Sequence, residues 1–280
     1  MTLALETTDV SVRFGGLQAL SSVCVKVGPD EIVGLIGGNG AGKTTFMDCV
    51  SGYVQPESGA SIRAFGEELV GLAPEMRPFL DVGRSYQSAR LFPGLTVTEA
   101  LLVAVERHQP TSVLGAILGL SSARAAEASK RVLVDELITA TGLGVYREKL
   151  IGQLSTGTRR VVDLASILAQ RPKLLLLDEP TAGLAQRETE AFGPLIRRVK
   201  EQLGCAVLII EHDMVLIGEL CDRVYALESG RVIAEGSPDA VRNDPKVVAS
   251  YLGTDESAIN RSGAITPKRR SPRREPLRAS

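Results

Sequence analysis

The chain contains no tryptophan, and aromatic residues make up 4% of its 280 positions. That is too sparse for the stacking platforms that grip single-stranded nucleic acid. It also lacks an excess of either charge: the formal net charge is −1, so bulk electrostatics argues neither for nor against a polyanionic partner. Cysteine is scarce and scattered, at Cys24, Cys49, Cys205 and Cys221, with no C-x-x-C pair. This excludes a disulfide or zinc framework and leaves four thiols expected as small core residues in a reducing compartment. Long apolar runs are missing too. Apolar stretches such as 113–120 and 174–177 fall far short of the ~20 that a spanning helix needs. Residues 1–10 carry Glu6 and Asp9 and no basic cluster, so no signal peptide is expected. Any membrane contact is expected to run through a partner.

What is present is ordinary globular composition, 44% hydrophobic and 23% charged, on a chain long enough for one large domain or two intimate subdomains. The first 85 or so residues are rich in short alternating runs, such as 9–14 and 22–27, broken by Gly and Pro. A buried strand is expected at 31–36 and a helix over 44–50, stopped by Gly52. From about residue 98 to 168 the period becomes helical. In 122–141, Val132, Leu133, Leu137 and Ile138 are expected to share a face, with Gly142 in the C-cap place. Val161, Val162, Ala165 and Leu168 form another face on a helix that must end near Pro172. Strand and helix then alternate through 174–177, 188–202, 206–210 and 214–221, giving an α/β chain with a helical insertion and no internal repeat. The tail, 255–280, is basic and without apolar periodicity, so disorder is expected there.

Three segments carry chemistry. Gly37-Gly38-Asn39-Gly40-Ala41-Gly42-Lys43-Thr44-Thr45 fits G-x-x-x-x-G-K-[ST] between a strand and a helix. Backbone N–H groups there must turn inward around phosphate oxygens, which Gly permits at low cost, and the helix N-terminus adds partial positive charge. Lys43 is expected to reach the β- and γ-phosphates of ATP, and the Thr44 hydroxyl to ligate Mg²⁺. Asp178 and Glu179 end an apolar run; the first is expected to hold Mg²⁺, the second to polarise the attacking water. Of two histidines, His212 follows another strand and belongs at the same sheet edge, poised to sense the γ-phosphate, whereas His108 reads as a surface residue.

Leu154-Ser155-Thr156-Gly157-Thr158 lies shortly before that acidic pair and resembles the signature of ABC ATPases. Ser155 is placed to cap a helix, and Gly157 leaves a backbone N–H open to an anion. The resemblance spans residues 5–254. It implies an α/β P-loop NTPase with a RecA-like core, an antiparallel β subdomain and an inserted α-helical subdomain at about 88–165. It also implies a head-to-tail pair of ATPase chains in which Ser155 and Gly157 face the partner's nucleotide, Phe14 stacks on adenine, and Gln87 touches Mg²⁺ and the attacking water while linking to the permease. Within that family the segments 14–20, 90–97 and 243–253 are most similar to ATPases of branched-chain amino-acid importers. Implied partners are permease subunits, a second ATPase chain and, indirectly, a solute-binding protein, on the cytoplasmic face of the membrane, without nucleic acid. Urea or amide importers, lipopolysaccharide exporters and non-transport ABC ATPases are the alternatives, together with a subunit that holds ATP without hydrolysing it. Gly38 stands where these families usually have Pro. Two departures bear on function: Thr158 replaces the usual Gln, and Ala185 replaces the usual Asp or Asn of the D-loop. Both weaken a composite site and suit a heterodimer.

Overall fold

Strands covered on both faces must be apolar at nearly every position, and three segments here meet that demand. Ile32–Gly37, Leu174–Asp178 and Ala206–Ile210 are buried throughout. They form the centre of the sheet in a computed structural model that describes residues 2–85, 91–106 and 121–251. In chain order the strands are β1 (Leu5–Thr8), β2 (Val10–Phe14), β3 (Leu17–Val23), β4 (Lys26–Val27), β5 (Ile32–Gly37), β6 (Ser61–Ala64), β7 (Glu67–Glu68), β8 (Val82–Arg84), β9 (Leu174–Asp178), β10 (Ala206–Ile210), β11 (Arg223–Glu228) and β12 (Arg231–Gly236). The described helices are α1 (Lys43–Ser51), α2 (Val97–Glu106), α3 (Ser121–Ala140), α4 (Thr156–Leu168), α5 (Gln186–Leu203), α6 (Met214–Leu220) and α7 (Pro238–Arg242).

The main sheet has the order β12-β11-β5-β10-β9-β8, parallel except for the edge strand β12. A four-stranded antiparallel sheet, β4-β1-β6-β7, and the β2–β3 hairpin lie beside it. Alternate residues of the central strands feed two cores, as the period-2 pleat requires. Ile32, Ile36, Leu175, Leu177, Val207 and Ile209 pack with α2 to α6. Val33, Leu35, Leu174, Leu176, Leu208 and Ile210 pack with α1 and the antiparallel sheets. The α/β class with an antiparallel β portion and helices inserted between β8 and β9 therefore stands. Among the described residues no helix is long and apolar enough to cross a membrane.

Three expectations need correction. The run 22–27 is not one strand: β3 ends at Val23, β4 starts at Lys26 in another sheet, and Ser22 adopts φ +50 at the break. Cys24 sits in that break and is exposed, while the other three thiols are buried. Burial pushes Cys49 and Cys221 up to about 12 and Cys205 up to about 11, which keeps them protonated and unreactive. On α3 the buried face is Val134, Leu137 and Ile138, with Val132 59% exposed. Positions 134, 137 and 138 follow the i, i+3, i+4 spacing, whereas 132 stands about half a turn away from 134. Lys130, one turn earlier on that face, is buried and pairs with Glu106 and Glu127, joining α2 to α3. Gly142 takes the left-handed conformation after α3, at φ +72. Residues 113–120, His108 and the basic tail 255–280 lie outside the described residues.

Candidate functional site

Parallel pairing aligns the carboxyl ends of the central strands. Ile210 is level with Leu35 on one side and with Asp178 on the other, and Gly37 pairs with Leu227 of β11. The loops that leave β5, β9 and β10 therefore emerge side by side, and such edges are where open α/β sheets bind ligands.

The loop after β5 depends on glycine. Gly37, Gly40 and Gly42 have φ of +149, +78 and +105. A Cβ on Gly37 would lie 2.2 Å from the Leu227 carbonyl oxygen, and one on Gly42 2.7 Å from that of Ala19. Asn39 and Gly40 form an exposed turn, Ala41 is buried beneath them, and α1 starts at Lys43. Apolar side chains on one side of α1, Phe46, Met47 and Val50, anchor it in the core, so its N-terminal amide groups open on the loop. Thr44 is exposed and Thr45 half-buried there. Lys43 is 5% exposed. Its Nζ donates to the carbonyls of Gly37 at 2.9 Å and Gly38 at 3.0 Å, so the ammonium folds back across the loop. Burial lowers its pKa, opposed by the negative charges of Glu179 and Asp178.

Asp178 is 2% exposed. Its Oδ2 accepts from Arg84 Nη2 at 3.0 Å, and its backbone N–H donates to Ser85 Oγ at 3.4 Å. Its Oδ1 is buried and has no hydrogen-bond partner among the described residues. A hard divalent cation suits such an orphaned carboxylate oxygen, because Mg²⁺ is commonly held by one or two carboxylates with hydroxyl, phosphate and water completing the shell. The absence of a cluster of three or more His, Cys, Asp or Glu among the described residues is compatible with that mode. Burial raises the Asp178 pKa, and the Arg84 guanidinium opposes the rise.

Glu179 adopts φ +48, a left-handed conformation that costs a residue with a Cβ roughly 1–2 kcal/mol and clusters at functional positions. Its N–H donates to the Ile210 carbonyl at 3.0 Å, and its Oε1 lies 2.7 Å from His212 Nε2. Glu211 underpins this arrangement. Buried at 3% exposure, it accepts from Thr181 N at 2.9 Å, Thr181 Oγ1 at 2.6 Å and His212 N at 3.1 Å. It thus ties the loop after β9 to the loop after β10. Sequence reasoning passed over Glu211, although its place directly before His212 was a usable signal. It also missed the role of Arg84, whose only sign was its position before Gln87.

Ser155 and Gly157 lie elsewhere: among the described residues no hydrogen bond or ion pair joins them to the loop after β5. Ser155 caps α4, its Oγ accepting from Thr158 N at 3.1 Å. A Cβ on Gly157 would sit 2.3 Å from Glu188 Oε1, so the first turn of α5 packs over the start of α4. Glu188 also accepts from Ala185 N at 3.1 Å. Ala185 is the N-cap of α5 and has no side-chain acceptor, so only this half of a capping box exists. Gly157, Thr158 and Glu188 border a cavity of about 340 Å³ that Leu184, Tyr146 and Phe192 line on its apolar side. Phe14 is 52% exposed at the end of β2, which rules out a core role. Gln87 lies outside the described residues, in the segment that follows β8.

A glycine loop opening a helix, next to an acidic strand end and a histidine on one parallel-sheet edge, defines a P-loop nucleotide-binding domain of the ATP-binding-cassette type. The chain belongs to the ABC transporter family, whose family model matches residues 20–182. A second model, described as a branched-chain amino acid ATP-binding cassette transporter, matches residues 231–257. The chain is 36% identical over 249 residues to BraF of Pseudomonas aeruginosa, a high-affinity branched-chain amino acid transport ATP-binding protein, covering 89% of this chain and 97% of that one. It is 35% identical to LivG of Escherichia coli K12, described in the same words, at the same coverage. Among solved structures, cbiO1 from Clostridium perfringens, part of the ABC transporter complex cbiONQ, is similar with a TM-score of 0.74 and 25% identity, covering 94% of this chain and 99% of that one.

Proposed function

We propose that the chain binds and hydrolyses Mg²⁺-ATP as one of two ATPase subunits on the cytoplasmic face of a branched-chain amino-acid importer. The observation that carries the hydrolytic reading is Glu179: a strained carboxylate, 2.7 Å from His212, beside the buried Asp178 and Lys43. The importer assignment is supported by the names of the relatives and by the matched C-terminal segment, residues 231–257.

In this mechanism the amide groups of residues 38–45 and the ammonium of Lys43 bind the triphosphate, Lys43 exchanging its two carbonyl acceptors for phosphate oxygens. Phe14 supports the adenine. Asp178 and Thr44 would hold magnesium, with Gln87 adjoining, and the bound cation would supply positive charge to offset the charge that develops on the phosphates. Glu179 orients a water and accepts its proton, and His212 holds the Glu179 carboxylate in place. Ser155 and Gly157 present the α4 N-terminus to the nucleotide of the partner chain. Permease subunits dock near the Gln87 segment, and a solute-binding protein delivers the substrate to them. Residues 5–254 form the ATPase domain, with the helical subdomain at about 88–165.

Thr158 and Ala185 leave one composite site weak, which favours pairing with a second, different ATPase chain. Phosphate release by the purified chain, alone and with that second chain, tests both statements. Stimulation on pairing is expected. Full activity alone would overturn the heterodimer, and no release in either arrangement would overturn hydrolysis.

A further inference from the structure

Arg84 stands where three parts of the molecule meet. It ends β8, the outermost parallel strand of the main sheet. Its Nη1 donates to Asp48 Oδ1 at 2.7 Å and Ser51 Oγ at 3.0 Å, both on α1. Its Nη2 donates to Asp178 Oδ2 at 3.0 Å. The side chain is 8% exposed, against 2% for Asp178. One planar guanidinium thus spans the helix that opens from the phosphate loop and the carboxylate at the end of β9.

We propose that Arg84 is a positioning residue that sets the magnesium affinity of the nucleotide site by holding Asp178 Oδ2, so that Oδ1 alone faces the cation. The proposal rests on the Mg²⁺-ATP reading given above. Its physical basis is the division of labour between the two Asp178 oxygens: one is engaged by a charge-assisted hydrogen bond, and the other is buried without a hydrogen-bond partner among the described residues. A carboxylate with both oxygens unanchored turns about its Cβ–Cγ bond and loses its aim. Here the anchor is itself fixed by Asp48 and Ser51, so the orientation of Asp178 is referenced to α1 and hence to the loop that receives the phosphates. The Arg84 geometry demands a fork. An ammonium at this position is a point charge that cannot span both carboxylates in the same way.

Charge and position predict opposite outcomes. Guanidinium removal takes a positive charge away from the metal position, which alone would strengthen magnesium binding. Loss of orientation weakens it.

The test is the binding of a fluorescent ATP analogue, mant-ATP, to the purified full chain, titrated with magnesium from an EDTA-treated start. Wild type, Arg84→Gln and Arg84→Lys are compared. In Arg84→Gln the magnesium-free affinity is expected to stay within about twofold of wild type, while the half-saturating magnesium concentration rises about tenfold, as for loss of a partner that orients a metal ligand. Arg84→Lys, which keeps the charge and loses the fork, is expected to show a rise in the same direction. An unchanged or lowered magnesium midpoint in Arg84→Gln overturns the proposal, as does an equal loss of binding with and without magnesium. Should Arg84→Gln fail to fold, Asp48→Asn, which loosens the far end of the fork, replaces it: a raised midpoint supports the proposal and an unchanged one overturns it. A wild-type chain whose nucleotide binding ignores magnesium overturns the underlying reading and the proposal with it, before any substitution is considered.

Discussion

The edge formed by β5, β9 and β10 and the surface formed by the starts of α4 and α5 are built differently. At the sheet edge Lys43, Asp178, Glu179 and His212 are braced from within the same chain. Lys43 lies across its own loop, Asp178 is held by Arg84, and the Glu179 and His212 loops are tied through Glu211. At the second surface the bracing is looser. Ser155 caps its helix, but Ala185 leaves α5 half-capped, with Glu188, packed against Gly157, accepting from the Ala185 N–H. The difference teaches that the first region is braced within one chain, whereas the second is loosely held, which suits the proposal that it acquires its role against another chain.

The comparison is broken most severely at Glu179, the carboxylate proposed as general base. Glu179→Gln should lower phosphate release by about 10²–10⁴-fold, the range for removing a general base, while leaving ATP binding intact. Wild-type turnover in that variant would remove the sheet edge from the chemistry. Next in size is Glu211→Ala, which strands the buried Thr181 N–H and hydroxyl. A stability loss of about 2–3 kcal/mol is expected, read by calorimetry as a melting point lower by about 5–10 °C, with turnover falling alongside. An unaltered melting point would show that the two loops hold without their tie.

A third prediction concerns Asp163 on α4, behind the second surface. Burial pushes its carboxyl up to about 6, against the opposing charge of Arg160. With the folded-state value above the unfolded one, the protonated form favours folding. This group therefore contributes no penalty below about pH 4, a growing one up to about pH 6, and a constant one above. Asp163→Asn should stabilise the chain at pH 8 by on the order of 2 kcal/mol and leave it unchanged at pH 4; equal effects at both pH values would contradict this. The smallest effect sharpens the contrast: Ala185→Asn supplies the missing cap and should add about 0.5–2 kcal/mol, measured by urea unfolding. No gain would mean that Glu188 alone completes the start of α5.

Much of the sheet edge was legible because its chemistry is local in sequence. A glycine loop needs its glycines in order, an apolar run ending in Asp178 and Glu179 is a buried strand reaching an edge, and His212 repeats that pattern. What was not legible depends on long-range packing. Arg84 reaches Asp178 across 94 positions of sequence, and nothing beside Arg84 marks it as buried. The division of 22–27 into two strands follows from the left-handed Ser22, a residue type with no strong signal for that conformation. Val132 turns away from the buried face of α3 because neighbouring residues on a helix diverge by about 100° each, and that face includes Lys130, a residue type that usually lies at the surface.

The central claim is that the loops leaving β5, β9 and β10 enclose one nucleotide. A crystal structure of the chain grown with ATP and magnesium tests it most directly. The triphosphate should lie within hydrogen-bond reach of the amides of residues 38–45 and of Lys43 Nζ, with magnesium beside Asp178 Oδ1. Nucleotide bound at another surface, or a Lys43 ammonium still bonded to Gly37 and Gly38 beneath bound ATP, would contradict it.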